Sequence, residues 1–311
     1  MFKTTQYLIK NYQKMNHPAY LKKGDKIAIT CPAKTLKSPL TDAIALLQSW
    51  GLEVVLGETV DAVHHQFSGT DELRTSDMQK FIDDKSVKGI IAARGGYGCI
   101  RIVDDIDWTP LVLNPKWIIG FSDITVFHMQ MQRIGLQSLH AQMPSTISES
   151  SREGLESLRK ALFGENITYS FAADFQNKTG TTEGELIGGN LTLLTSCINS
   201  YNDIDYDDKI LFIEDVGEYA YVVDRMLRTL DRAGKFRNLK GLIVGGFTNI
   251  KQDDPPFGYS VNEIINLVTS KYDFPVGFNF PAGHLADNRA LILGGKVKLD
   301  VATNGSTLSF V

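Results

Sequence analysis

The chain has 311 residues, of which 43 % are hydrophobic and 22 % charged, a globular balance that favours neither disorder nor a membrane class. At ~150 residues per domain the length points to about two domains. A formal net charge of −4, without any long run of Lys or Arg, argues against a nucleic-acid partner, which needs a concentrated basic face.

The three cysteines, Cys31, Cys99 and Cys197, are widely spaced and odd in number. They outline neither a disulfide framework nor a metal-binding pair, which suits a reducing compartment. The apolar core of the N-terminal stretch, Tyr7-Leu8-Ile9, is too short for a signal peptide, and no run approaches the ~20 apolar residues of a membrane span. Residues 1–17 read as a polar extension, and the expected location is the cytoplasm.

From Lys26 onward, short apolar runs alternate with longer amphipathic ones. "KIAITC" (26–31), "LEVVL" (52–56), "VKGIIAA" (87–93) and "KWIIGF" (116–121) are continuous in apolar residues, as buried parallel strands are. "LTDAIALLQSWG" and "SDMQKFIDD" between them are helix-like, with Gly51 a C-terminal stop. This βαβ rhythm predicts a doubly wound α/β layer, whose ligands sit at the carboxyl ends of the strands. Two features fall there: the glycine-rich "ARGGYG" (93–98) and Ser122, on a bend between a strand and a helix. The rhythm breaks into a Ser/Thr/Gly-rich linker around one helix (155–163). A second unit follows, with strands "KILFIED" (209–215) and "KGLIVGGF" (240–247) around a strongly periodic helix ending on Gly234. Short strands "RALILGG", "KVKLDV" and "STLSFV" close it. The expected division is 1–17 extension, 18–147 α/β domain, 148–182 linker region and 183–311 C-terminal β/α domain.

A serine hydroxyl becomes a nucleophile only with a base in reach and a group to orient that base. Ser122 on its bend, Glu214 at the end of "ILFIED" and His284 in the turn "FPAGHLADNR" are residues of the right kind. Their chain order is that of α/β-hydrolases, although Ile124 stands where that motif has its second glycine. Adjacent glycines let backbone N–H groups approach a ligand. Gly95 or Gly96, with the N–H of Asp123, could therefore form an oxyanion hole. Arg94 suits a substrate carboxylate, and with Tyr97 and Asn190 it completes the candidate substrate-binding set.

Each feature also has a plainer reading. Ser122 could cap its helix, and Asn190 could do the same for the helix beginning "LTLL". Glu214 could yield its role to Asp215 or Glu218, and His284 could be a satisfied turn histidine. "RGGYG" lacks the spacing of a phosphate loop. His64-His65 lack companion ligands and read as solvent-facing, and Cys31 reads as structural.

Seven segments in order resemble the LD-carboxypeptidases, the muramoyltetrapeptide carboxypeptidase family of serine peptidases. They are "LKKGDKIAITCPA", "GIIAARGGYG", "IIGFSDITVFH", "ELIGGNLTLL", "LFIEDVGEYAYVVDRML", "GLIVGGF" and "PVGFNFPAGH". The resemblance implies a Rossmann-like N-terminal domain, a smaller C-terminal β/α domain and a Ser122–Glu214–His284 triad. It also implies cytoplasmic removal of the terminal D-alanine from murein tetrapeptides, with no metal or organic cofactor, and a homodimer. The microcin C self-immunity peptidases, which cut a peptidyl- or aminoacyl-nucleotide with a similar triad, are an alternative reading, as is a non-catalytic Rossmann-like ligand-binding protein.

Overall fold

The computed structural model describes residues 16–311; positions 1–15, most of the expected N-terminal extension, lie outside the described residues. By its internal contacts the chain forms two units. One runs to Glu165 and takes back Arg289–Gly294; the other comprises Asn166–Asn288 and Gly295–Val311.

The first unit is a doubly wound layer. Strands β1 (Lys26–Thr30), β2 (Glu53–Leu56), β3 (Val87–Ala92), β4 (Trp117–Gly120) and β5 (Ser138–His140) alternate with helices. The helices are α1 (Thr41–Ser49), α2 (Asp71–Asp83), the short α3 (Cys99–Ile102) and α4 (Thr109–Leu113), and α5 (Thr125–Arg133). Helix α6 (Arg152–Phe163) follows β5. The strand order is β11-β5-β4-β3-β1-β2, parallel except that β11 (Leu291–Leu293), from far along the chain, joins antiparallel to β5. Ile27, Ile29, Ile91 and Ile119 are fully buried in its centre. The apolar runs specify these strands because helices cover both sheet faces, leaving no solvent-facing side to alternate with. "LEVVL" departs from this expectation: β2 is the edge strand, and both of its end residues, Glu53 and Leu56, are exposed.

Helix α1 stops at Gly51, as its sequence predicts; φ there is +86°, a conformation cheap only for glycine. The strand order turns back between β1 and β3, and the segments leaving β1, β3 and β4 emerge at the carboxyl edge, where such sheets bind ligands.

The second unit is built on a seven-stranded sheet, β10-β9-β8-β7-β12-β13-β6. Its strands are β6 (Thr168–Phe171), β7 (Gly180–Asn190), β8 (Lys209–Val216), β9 (Gly241–Thr248), β10 (Val276–Gly277), β12 (Lys296–Ala302) and β13 (Gly305–Phe310). β7 to β10 run parallel, while β12, β13 and β6 extend the sheet antiparallel. Helices α7 (Leu191–Ser196), α8 (Ala220–Arg232) and α9 (Val261–Thr269) connect the parallel strands. Among the described residues no helix is long and apolar enough to cross a membrane.

Candidate active site

In the first unit, β4 ends on Gly120 and the chain turns through Ser122–Ile124, one turn of 3₁₀ helix, into α5. Ser122 is half-buried and left-handed, at φ +64°. For a residue with a Cβ that costs about 1–2 kcal/mol, so the fold holds the serine in a conformation it would not choose. The plainer capping role fails on position: the residues at the N-caps of the 3₁₀ turn and of α5 are Phe121 and Ile124. His128 braces the turn from behind. Its Nε2 donates to Gly120 O and its Nδ1 accepts from the Ser138 hydroxyl, both at 2.9 Å. A carbonyl can only accept, so it fixes the tautomer. Burial pushes the His128 pKa down to about 4, which keeps the ring neutral.

The glycine turn after β3 lies against Ser122. A Cβ placed on Gly95 would stand 3.2 Å from Ser122 Cβ and 3.4 Å from the Asp123 nitrogen. Gly95 is buried, while Gly96 and Tyr97 are exposed. Arg94 donates through Nη1 to Thr35 O at 2.7 Å. Cys31 is buried, its thiol on Lys34 O at 3.1 Å, and His64 and His65 face solvent.

In the second unit the acid and the imidazole are in contact. His284 Nδ1 lies 2.7 Å from Glu214 Oε2, and the Glu214 side chain is wholly buried. Facing a carboxylate, Nδ1 carries the ring proton and Nε2 becomes the basic nitrogen. Burial works to lower the His284 pKa, but the hydrogen bond to Glu214 and the charges of Glu214 and Asp215 outweigh it, and the net shift is upward. Glu218, one alternative acid, instead accepts from the Thr192 hydroxyl at 3.4 Å. Asp215, the other, accepts from Asn190 Nδ2 at 3.0 Å and from the Thr192 amide and hydroxyl at 3.0 and 2.9 Å. Burial, then the neighbouring Glu214, pushes the Asp215 pKa up to about 6. Asn190 also caps α7, accepting from the Leu193 N–H.

A pair of glycines in β9 brings His284 to Glu214. Ile213 pairs with Val244 but Asp215 pairs with Phe247, so β9 bulges at Gly245-Gly246. The segment 280–282 runs alongside: Phe280 N–H donates to Val244 O at 3.0 Å and Gly246 N–H to Ala282 O at 2.8 Å. A Cβ on Gly245 would stand 2.5 Å from Ala282 O, too close for any side chain. Asn288, fully buried and passed over in the sequence, accepts from Gly283 N–H at 2.8 Å and fixes the histidine turn. An Asn in a polar turn gives no local sign of that reach. Among the described residues no group of three or more His, Cys, Asp or Glu side chains is disposed to hold a metal ion.

Residues 27–141 match the LD-carboxypeptidase N-terminal domain and residues 183–299 the LD-carboxypeptidase C-terminal domain. A probable murein peptide carboxypeptidase of Bacillus subtilis is 32 % identical over 92 % of this chain and 92 % of its own. The chain belongs to the LD-carboxypeptidase family. Among solved structures, the muramoyltetrapeptide carboxypeptidase of Oxalobacter formigenes superposes on this LD-carboxypeptidase with a TM-score of 0.83 at 31 % identity, over 92 % of this chain and 98 % of that one. The microcin C7 self-immunity protein in complex with aspartyl sulfamoyl adenosine superposes at 0.84 with 22 % identity, over 94 % and 98 %. At that identity the likeness is one of fold alone. This member of the LD-carboxypeptidase family is thus a carboxypeptidase on a two-unit α/β fold.

Proposed function

We propose that this LD-carboxypeptidase removes the terminal D-alanine from murein tetrapeptides by serine acyl transfer, with Ser122 as nucleophile, His284 as general base and Glu214 as its orienting acid. The observation that carries the proposal is the buried Glu214–His284 contact at 2.7 Å, because it leaves Nε2 as the nitrogen able to take a proton. Ser122 loses its proton to His284 Nε2 and its Oγ bonds to the scissile carbonyl carbon. The N–H groups of Gly95 or Gly96 and of Asp123 hold the resulting oxyanion. His284 then passes the proton to the D-alanine nitrogen as the C–N bond breaks. Water, deprotonated by the same imidazole, releases the shortened peptide and restores the serine. Arg94 receives the free C-terminal carboxylate, and Tyr97 and Asn190 line the peptide's path. The same proposal has the enzyme act in the cytoplasm as a homodimer, recycling wall peptides.

The test is mass spectrometry of a murein tetrapeptide incubated with the protein. Loss of one alanine is expected, and Ser122→Ala should lower kcat/KM by on the order of 10⁴. Native turnover by that variant overturns the proposal. The proposal also requires Ser122 and His284 to act on one carbonyl, so labelling of Ser122 by a fluorophosphonate should collapse in His284→Ala. Hydrolysis of an aminoacyl sulfamoyl-adenylate in place of the tetrapeptide would favour the microcin-type reading, for which the fold likeness is the support.

A further inference from the structure

One peptide group in the first unit is held at both of its polar atoms by buried charged side chains. It joins Gly98 to Cys99. Its carbonyl oxygen accepts from Arg74 Nη1 at 3.0 Å, and its N–H donates to Asp123 Oδ2 at 2.8 Å. Arg74, on α2, is wholly buried, and Asp123 is 1 % exposed. The same Nη1 also donates to Pro32 O at 2.6 Å, while Nη2 pairs with Asp71. The Phe67 ring lies against the guanidinium, 4.8 Å from centroid to Cζ. Asp71 is held in turn by Arg101 Nε at 3.0 Å. The segments leaving β1, β3 and β4 are therefore fastened together at a single point.

The glycine at that point is obligatory. Gly98 has φ +149°, and a Cβ there would stand 2.6 Å from Arg74 Nη1. Removing two charged groups from water costs several kcal/mol per ion. One helix of four residues, α3, does not need two charged groups to satisfy its first amide, since a serine or threonine would do. What the arrangement does is anchor the far end of residues 95–98, whose other end, Gly95, lies against the turn of Ser122.

We propose that Arg74 and the side chain of Asp123 are positioning residues, which act through the Gly98–Cys99 peptide group to aim the amides of the glycine turn and of Asp123 at one oxyanion. The inference rests on the serine mechanism proposed above. An oxyanion forms only as the reaction proceeds, so loosening its donors lowers kcat and leaves KM nearly unchanged.

The experiment compares Asp123→Ala, Asp123→Asn, Arg74→Lys and Ser122→Ala by steady-state kinetics on the tetrapeptide. Affinity for a peptide boronic acid that mimics the tetrahedral state is measured alongside. Asp123→Ala should lower kcat by ~10²–10³, with KM within about threefold and a matching loss of boronate affinity. Asp123→Asn keeps an oxygen that accepts from the Cys99 N–H and should recover to within about tenfold of native. Arg74→Lys reaches one of the two carbonyls and should lose about tenfold in kcat at constant KM.

Native kcat in either Arg74→Lys or Asp123→Ala, or kcat and KM changing together, overturns the positioning role. So does failure of Asn to exceed Ala at position 123. If Asp123→Ala does not fold, Arg74→Lys decides alone, because native kcat in that variant excludes the role. An active Ser122→Ala would remove the serine mechanism itself, whereas an inactive one beside an undiminished Arg74→Lys removes only the clamp.

Discussion

His284 is under two opposed influences, and if it is the general base proposed above, their balance sets where the enzyme should lose activity in acid. Burial disfavours the imidazolium, while the Glu214 hydrogen bond and the charges of Glu214 and Asp215 favour it and prevail. A base must be neutral to accept a proton, so a raised pKa moves the acid limb of kcat/KM upward, above the ordinary value of about 6.5. Glu214→Gln should move that limb down and cost on the order of 10⁴ in rate at neutral pH, since the ring loses its tautomer. Asp215→Asn should move it down by less, because Asp215 acts on the ring by charge alone. A pH–rate profile reads both, and a limb indifferent to Glu214→Gln removes this account of His284. Residue types were legible in the sequence, down to a serine on a bend and a histidine in a glycine turn. The choice among three nearby acids was not. Successive strand residues point to opposite faces, so Glu214 meets the histidine turn while Asp215 meets Asn190 and Thr192. Which face would receive which partner depends on a turn 70 residues away.

The strands themselves were plain to read, since buried parallel strands need apolar residues on both faces. β2 shows the limit, because an edge strand with half-exposed residues has the same composition as a central one. Glycines inside strands were visible but their purpose was not, as it depends on which neighbour presses against them. Gly188 in β7 pairs with Phe212 at φ +126°, and a Cβ there would stand 1.9 Å from the Phe212 carbonyl oxygen. Gly217, just past β8, also has positive φ, +75°, yet nothing lies within 4 Å of where its Cβ would be. Gly217→Ala should therefore cost about 1 kcal/mol, from conformation alone. Gly188→Ala should cost about 3 kcal/mol or more, with strain and overpacking combined. Thermal melts of the two variants test the contrast; equal shifts in Tm would show that the close approach of β7 and β8 relaxes freely.

The chain begins the second unit before it has finished the first. β11 takes an edge of the first sheet beside β5, and β12 and β13 then link β7 to β6 in the second. Nothing in "RALILGG" states which sheet it joins, because its antiparallel partner lies about 150 residues upstream and leaves no local signature. A protein ending at Asn288 should fail in both units: the first loses the cover on β5, and the second is severed between β7 and β6. Appending residues 289–294 to a fragment that ends at Glu165 should raise its Tm and suppress aggregation through the exposed edge of β5. Size-exclusion chromatography with thermal melts reads this, and identical behaviour with and without the appended strand would count against it.

The late arrival of β11 to β13 also has a temporal side. During translation, the serine, the buried glutamate and the histidine have all been polymerised before any of those three strands exists. A nascent polypeptide therefore carries every proposed reactive group while both of its sheets are still missing members. On the mechanism proposed above, the ribosome-bound chain is therefore expected to gain hydrolytic competence only after the segment that follows Arg289 has been made.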